Sequence, residues 1–530
     1  MKRFSVLLAA AVLAVVSCAP QDKWAALNSR AADEYDAPVR PFYEGRNPCW
    51  NGFCKKFTYA PAFDFEAVEG ASAYRFTVSD KAGGGSWSFT SPGKDVSLAP
   101  VWRQIPPCNA RLVVEALDEG GAVLDTAFVR EFLRDFPFEG PYNTKVRPYR
   151  EAAMMAALYV HNMKAVQHWK GSTEPDMSYA HNTYPNKIIG GTISLETLIA
   201  RHIPALRDEA LQIARNAAQF LIDMSRPGGD PLEFFPPTYY KDLQSSGQEW
   251  NRGKIMIMDP CMAGNAFLDL FDATGDSLYF DRALKIASTY VRIQRPDGSF
   301  PIKADFATGE PVNEASAMLH PILEYVRRLQ NDYSVDGLED MRVRAQNWMT
   351  RVAVETFDFT GQFEDVNVQG LKPYQNLTNV TASHYVSYLM TNPSPSKEDI
   401  AASAELLRMG EDQFVHWNEL PNAYGIRTLG TPSVFEQHKY QMPVDASSCS
   451  MANAWLDYWE VTGDALAFEK AKALIDNLTV QQDMGNGRIP TTFQLRSPEK
   501  DLRRTFWINC DLASVKTLLR MAEIEEGSRD

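Results

Sequence analysis

Asn265-Ala266-Phe267-Leu268-Asp269-Leu270-Phe271-Asp272-Ala273-Thr274-Gly275-Asp276 returns 188 positions later as Asn453-Ala454-Trp455-Leu456-Asp457-Tyr458-Trp459-Glu460-Val461-Thr462-Gly463-Asp464, with seven of twelve residues identical. Each copy is an apolar-periodic run that closes on Thr-Gly-Asp. These are turn residues that end a short link between helices. Cys261 and Cys449 stand at the same offset before the two copies. A repeated helical hairpin predicts a stacked or closed helical array.

Outward from the repeat, a helical period runs from about residue 145 to the C-terminus. It divides into twelve segments near 148–168, 193–203, 207–225, 260–274, 277–294, 313–331, 337–355, 378–391, 397–416, 447–462, 464–482 and 507–525. Short links alternate with long ones. A tetratricopeptide-type solenoid would repeat every ~34 residues with uniformly short loops. Twelve helices with alternating links instead predict a mainly α fold, an (α/α)6 toroid over 139–526. The long links (169–192, 226–259, 295–312, 356–377, 417–446 and 483–506) would crowd one face, each feeding an inner helix. Loops of that length are usually functional.

Upstream, residues 55–138 alternate apolar and polar positions, as in Tyr74-Arg75-Phe76-Thr77-Val78, with glycine-rich turns between the runs. The expectation is a small N-terminal β-sandwich of fibronectin or immunoglobulin type. Residues 18–54 read as a tether and lead-in. Residues 1–17 read as a signal peptide: Lys2-Arg3, then an apolar run too short to span a bilayer. Val15-Val16-Ser17-Cys18 resembles a bacterial lipobox, which implies lipidation of Cys18. The corresponding location is the bacterial outer membrane, facing the periplasm or the cell surface, with membrane contact only through the lipid.

The chain has 530 residues, 45% of them hydrophobic, and 67 acidic against 53 basic side chains. A formal charge of −14 supplies no field for nucleic acid, and none is expected as a partner. Of the cysteines after Cys18, Cys49 and Cys54 are close enough in sequence to pair, and no spacing resembles a zinc site. Neither metal nor cofactor is expected.

The long loops carry the candidate chemistry. Tyr184, Tyr239, Trp250, Trp417 and Tyr424 offer rings that stack on sugar faces, and the same rings equally suit packing of the loops. Arg252 and Arg427 are among the loop cations that suit an anionic sugar, so the expected partner is an anionic oligosaccharide. Glu233 lies among apolar residues that would raise its pKa. Asp176 lies just upstream of His181, and Asp445 precedes the second repeat. His438 and Tyr440 are the residue types that a uronate lyase or C5-epimerase uses to move a proton.

The run Ile257-Met258-Asp259-Pro260-Cys261-Met262, with Ala273-Thr274-Gly275-Asp276, Arg295-Pro296-Asp297-Gly298-Ser299-Phe300 and Thr308-Gly309-Glu310, resembles the corresponding stretch of unsaturated glucuronyl hydrolases, glycoside hydrolase families 88 and 105. The resemblance implies the six-hairpin glycosidase superfamily. It also implies hydrolysis at a uronic acid and a catalytic role for Asp259. Asp followed by Pro equally reads as an N-cap. His181-Asn182 stands where those hydrolases tend to carry His-Asp, and an asparagine cannot exchange a proton. The leading expectation is thus a glycoside hydrolase acting on a uronic-acid-containing oligosaccharide by carboxylate acid/base catalysis. A uronate lyase or epimerase and a non-catalytic glycan-binding lipoprotein are the alternatives.

Overall fold

A computed structural model of the chain describes residues 20–40, 49–240, 249–359, 373–419, 427–428, 430–439, 442–497, 500–501 and 506–527. The signal peptide, Cys18, Tyr424 and Tyr440 lie outside these residues, as does the side chain of Arg427. Leaving out single-turn pieces, the helices are α1 (Pro20–Tyr35), α2 (Tyr149–His161), α3 (Gly190–His202), α4 (Arg207–Met224), α5 (Pro260–Thr274), α6 (Ser277–Ile293), α7 (His320–Tyr333), α8 (Glu339–Trp348), α9 (Asn379–Met390), α10 (Lys397–Phe414), α11 (Asp445–Thr462), α12 (Ala465–Gln481) and α13 (Ile508–Gly527).

α3, α5, α7, α9, α11 and α13 each pack on the next, and α13 returns to α3, so the inner ring is closed. α4, α6, α8, α10 and α12 back the inner helices they follow, and α2 backs α13. The sixth hairpin therefore joins the first and last helices of the toroid. Composition sorts the two layers. Inner α5 buries Cys261, Ala263, Gly264, Ala266, Phe267, Leu268 and Leu270 on nearly every side. Outer α4 buries one stripe, including Ala210, Ala214, Ala217 and Leu221, and exposes the rest. Gly264 lets two inner helices touch, since a Cβ there would lie 2.6 Å from the Tyr325 ring of α7.

The sequence repeat is a structural device. Gly275 and Gly463 both take φ 72°, the left-handed cap that ends α5 and α11. Asp276 Oδ1 accepts the Leu278 amide at 3.0 Å, and Asp464 Oδ1 accepts the Leu466 amide at 2.8 Å. The repeated Asn and Asp receive an arginine from the next inner helix. Arg328 of α7 donates to Asn265 Oδ1 at 3.3 Å and pairs with Asp269 at 2.8 Å. Arg520 of α13 donates to Asn453 Oδ1 at 3.2 Å and pairs with Asp457 at 2.7 Å. Identity between the copies thus follows from two latches built from the same residue types.

The N-terminal region differs from expectation in two ways. In place of a sandwich, its named strands form one five-stranded sheet: β1 (Lys56–Phe57), β2 (Ala73–Asp80), β3 (Ser86–Ser91), β4 (Cys108–Leu117) and β5 (Val123–Arg134). The strand order is β1-β5-β4-β2-β3, with β1 parallel to β5 and the other pairs antiparallel. Alternation along β2 and β4 demands one covered face, and non-strand residues cover it. Phe63 meets Phe57, Phe128 and Phe132, while Phe65 stacks on Phe128. The other face is polar, with Arg75 bonded to Glu115 at 2.7 Å.

The second difference is that residues 20–35 are a docked helix rather than a tether. Leu27, Ala31 and Tyr35 recur at helical spacing and are buried, and α1 packs on α12. Tyr35 donates to Glu411 Oε1 of α10 at 2.6 Å.

A buried polar seam joins the sheet to the toroid. Lys56 Nζ bonds Asp135 Oδ2 and the Val415 carbonyl, each at 2.9 Å. His416 Nδ1 lies 2.7 Å from the same Asp135 oxygen. Asp412 Oδ1 accepts the amides of Thr58 and Tyr59 at 2.7 and 2.8 Å. Lys56 and His416 hold the Asp135 carboxyl well below the ordinary range against the cost of its burial.

Candidate active site

Each inner helix begins beside a buried polar side chain: Asn186 before α3, Asp259 before α5, His320 on α7, Asn379 on α9, Asp445 on α11 and Asp511 on α13. All six lie at the face that receives the long loops. Inner helices spaced ~8–10 Å apart put opposite axes about 16–20 Å apart. α5 and α11 occupy opposite places in the ring, so Asp259 and Asp445 stand on facing walls.

Asp259 sits between a strand and a helix. Lys254–Met256 pairs antiparallel with Lys303–Asp305, and the Asp259 amide then bonds the Met256 carbonyl at 3.0 Å. Tyr290 of α6 clamps this turn, donating to the Ile257 carbonyl at 2.7 Å and accepting the Cys261 amide at 3.0 Å. The Asp259 carboxylate is buried and makes no capping bond to its helix. The capping alternative for Asp-Pro is therefore not the arrangement found here.

Asp445 and Asp511 lie on neighbouring inner helices. Asp445 Oδ1 accepts the Ala446 amide at 2.8 Å, and Oδ2 accepts Ser514 Oγ at 3.2 Å. Asp511 is one turn before Ser514 on α13, and both its oxygens are buried without a hydrogen-bond partner. Burial, with a small addition from the Glu436 charge, raises the Asp445 pKa to about 8 despite those bonds. Burial and the Asp445 charge likewise push Asp511 well above the carboxylate range, with Arg488 acting in the opposite sense. At neutral pH Asp445 is a carboxylic acid, able to donate a proton.

The wall between α5 and α11 carries imidazoles. His320 stacks on His384 with ring centroids 4.4 Å apart, and its Nδ1 is buried without a partner. His384 Nε2 lies 2.9 Å from Ser450 Oγ, and Nδ1 lies 3.8 Å from Glu324 Oε1. His384 therefore touches both neighbouring inner helices one turn below the helix starts. Burial, aided by His384, keeps His320 neutral.

On the other side, His181 stacks on Trp507 at 3.8 Å between centroids, and Tyr184 contacts both Trp507 and Tyr239. Burial lowers the His181 pKa to about 4. Asn182 is buried and donates to the Asp176 carbonyl at 2.9 Å, which ties its own loop together.

Several expected site residues are placed elsewhere. Glu233 bonds the Gly229 amide at 2.8 Å and pairs with Arg292 of outer helix α6, which lowers its pKa instead of raising it. Asp176 accepts the Ser178 amide at 2.9 Å in a turn, and this also lowers its pKa. Trp417 is wholly buried against Phe138 and Trp455 and donates to Glu411 Oε1 at 3.0 Å, so it packs the seam rather than a sugar. His438 lies against Phe414, where burial and the nearby Lys55 and Lys56 lower its pKa to about 3. Arg252 pairs with Glu249 at 2.9 Å, and Trp250 is 46% exposed beside it. No disulfide joins Cys49 to Cys54, and Cys54, Cys108, Cys261, Cys449 and Cys510 are thiols. The predicted inner helix at 313 begins at His320, so Glu314 belongs to the preceding loop.

Asp511, His320 and His384 were not among the sequence candidates. Asp511 had a legible signal, because it interrupts the apolar stripe Ile508, Val515 and Leu518 of an inner helix.

No family model matches the chain, and no curated protein matches it. Solved structures resemble it in fold. A family 76 glycoside hydrolase from a bovine Bacteroides thetaiotaomicron strain is 9% identical, with a TM-score of 0.48, over 86% of this chain and 93% of the other. The cellobiose 2-epimerase of Spirochaeta thermophila is 11% identical, with a TM-score of 0.47, over 71% and 98%. An unsaturated glucuronyl hydrolase specific for heparin is 11% identical, with a TM-score of 0.44, over 71% and 98%. The closed ring of six hairpins itself establishes the toroid.

Proposed function

We propose that this chain is a glycan-processing enzyme, a glycoside hydrolase acting on a uronic-acid-containing oligosaccharide. The observation that carries the reading is the Asp445–Asp511 pair, with Asp445 titrating at about 8. Two coupled buried carboxyls hold at least one proton at neutral pH, as a general acid requires. In this reading Asp445 donates its proton to the departing glycosidic oxygen. Asp259, across the crater, is the carboxylate that activates water or stabilises developing positive charge. Ser514 orients Asp445 through its hydrogen bond. Arg488, whose charge acts on Asp511, is a cation suited to a uronate carboxylate.

The test is a screen of uronate oligosaccharides, with and without prior lyase digestion, read by product mass. Wild type is expected to add water across a glycosidic or vinyl-ether bond. Asp445→Asn and Asp259→Asn should each lose at least about a hundredfold in rate. Full activity in Asp445→Asn would remove the assignment.

The same proposal places the enzyme on a lipid at Cys18, in the bacterial outer membrane. Failure of Cys18→Ala to lose labelling by a fatty-acid analogue would contradict that placement. No helix among the described residues is long and apolar enough to cross a membrane.

A further inference from the structure

One cavity is lined by none of the inner-ring carboxylates. It encloses about 720 Å³ on the N-terminal sheet, between the residues preceding β1, the end of β2 and the facing parts of β4 and β5. That volume falls within the ~300–1,000 Å³ of ordinary ligand pockets. Its charged lining comprises Lys55, Asp80, Lys81, Arg130 and Glu131.

The two carboxylates are already engaged. Asp80 accepts the amides of Ala82 and Gly84 at 2.9 and 3.1 Å, closing its own turn. Glu131 pairs with Lys81 at 2.7 Å. The cations that remain have no carboxylate among the described residues. Arg130 donates through Nη2 to the Cys54 carbonyl at 2.6 Å, and its Nε is buried without an acceptor. Burial lowers the Arg130 pKa. Lys55 is exposed at the pocket wall. A desolvated guanidinium that lacks a counter-charge is stabilised by an arriving anion, and its planar donors suit a carboxylate or sulfate.

One residue of the pocket wall also borders a crater loop. Lys55 lines a second, narrow cleft together with Gln413, Phe414, Phe435, Gln437 and His438. His438 lies on the long loop between α10 and α11, and Lys55 and Lys56 act on its pKa. The proposed function leaves this part of the sequence without a role.

We propose that the sheet pocket is a distal subsite that holds a carboxylate or sulfate of a longer glycan on Arg130 and Lys55, while the chain end occupies the crater. The nature of the ligand as a glycan rests on the proposed function; the pocket's preference for an anion does not.

The experiment is calorimetric titration of the full chain carrying Asp445→Asn, which prevents turnover. The probes are a galacturonate hexasaccharide, a chondroitin sulfate hexasaccharide and neutral maltohexaose. One or both anionic probes should bind more tightly than maltohexaose, and which does so separates carboxylate from sulfate. Arg130→Gln should weaken that binding about tenfold or more. Lys55→Gln, at an exposed position, should weaken it about threefold. The proposal is overturned if maltohexaose binds as well as both anions, or if a folded Arg130→Gln or Lys55→Gln protein binds the preferred anion unchanged. Failure of the catalytic reading would appear separately, as activity surviving in Asp445→Asn with the Arg130 dependence of binding intact.

Discussion

Replacing Asp445 by Asn should abolish turnover and yet stabilise the protein at neutral pH. In the unfolded chain this carboxyl titrates near 3.8, and in the folded protein near 8. A folded-state pKa raised in this way makes folding take up a proton between those limits. The associated stability is complete below about pH 3.8 and drains away as pH rises to about 8. Each pH unit in that window costs about 1.4 kcal/mol, so at pH 7 the wild type carries a penalty of order 4 kcal/mol. Asn cannot ionise and does not carry it, while its amide oxygen still accepts from Ala446 or Ser514. Unfolding entropy of about 2 cal/mol/K per residue over some 500 residues gives roughly 1 kcal/mol per kelvin, so the variant should melt about 4 °C higher at pH 7. Differential scanning fluorimetry from about pH 5 to about pH 8 tests this directly. The gap should widen with pH. A gap that is absent, negative or independent of pH would refute the assignment of a protonated Asp445.

Other substitutions probe the frame. Lys56→Met strands Asp135 in the seam and should cost about 3–5 kcal/mol in urea unfolding. Because Asp135 is held low by Lys56 and His416, its contribution is present above the ordinary carboxylate pKa and fades as pH falls, so the deficit should shrink in acid. Arg520→Met leaves Asp457, 4% exposed, without its cation and should cost about 3 kcal/mol. Arg328→Met should cost about 1 kcal/mol, since Asp269 is 20% exposed and also accepts from Ser194. Equal losses in urea unfolding would contradict this account of the two latches. Trp417→Ala should lower stability by about 3–5 kcal/mol, whereas Trp250→Ala, at a 46% exposed site, should leave thermal melting nearly unchanged.

The parts of the molecule that were legible in sequence are those governed by local rules. The twin Thr-Gly-Asp turns needed only a left-handed glycine and a capping aspartate, and they locate two hairpins almost to the residue. The alternation in β2 and β4 correctly marked one buried face, but it carried no information about what covers that face. Phe63 and Phe65 cover it from outside the strands, which is why a sandwich was expected and a single sheet is found. Long loops marked the face where the inner helices begin, but the environment of a carboxylate depends on residues far away in sequence. Glu233 looked apolar among its neighbours and meets Arg292, 59 positions on. Asp445 owes its burial to the loop carrying Thr491 and to Ser514 of α13. Asp511 was passed over because it lies inside a helix, where attention to loop carboxylates does not reach.

The account depends most on Asp445 remaining protonated beside Asp511 at neutral pH. Infrared titration of the full chain, with the protonated-carboxyl stretch of Asp445 assigned by its loss in Asp445→Asn, measures this without a substrate. The band should persist through neutrality and disappear near pH 8. A band that disappears near pH 4, the ordinary aspartate range, would leave the crater without its acid and contradict the account.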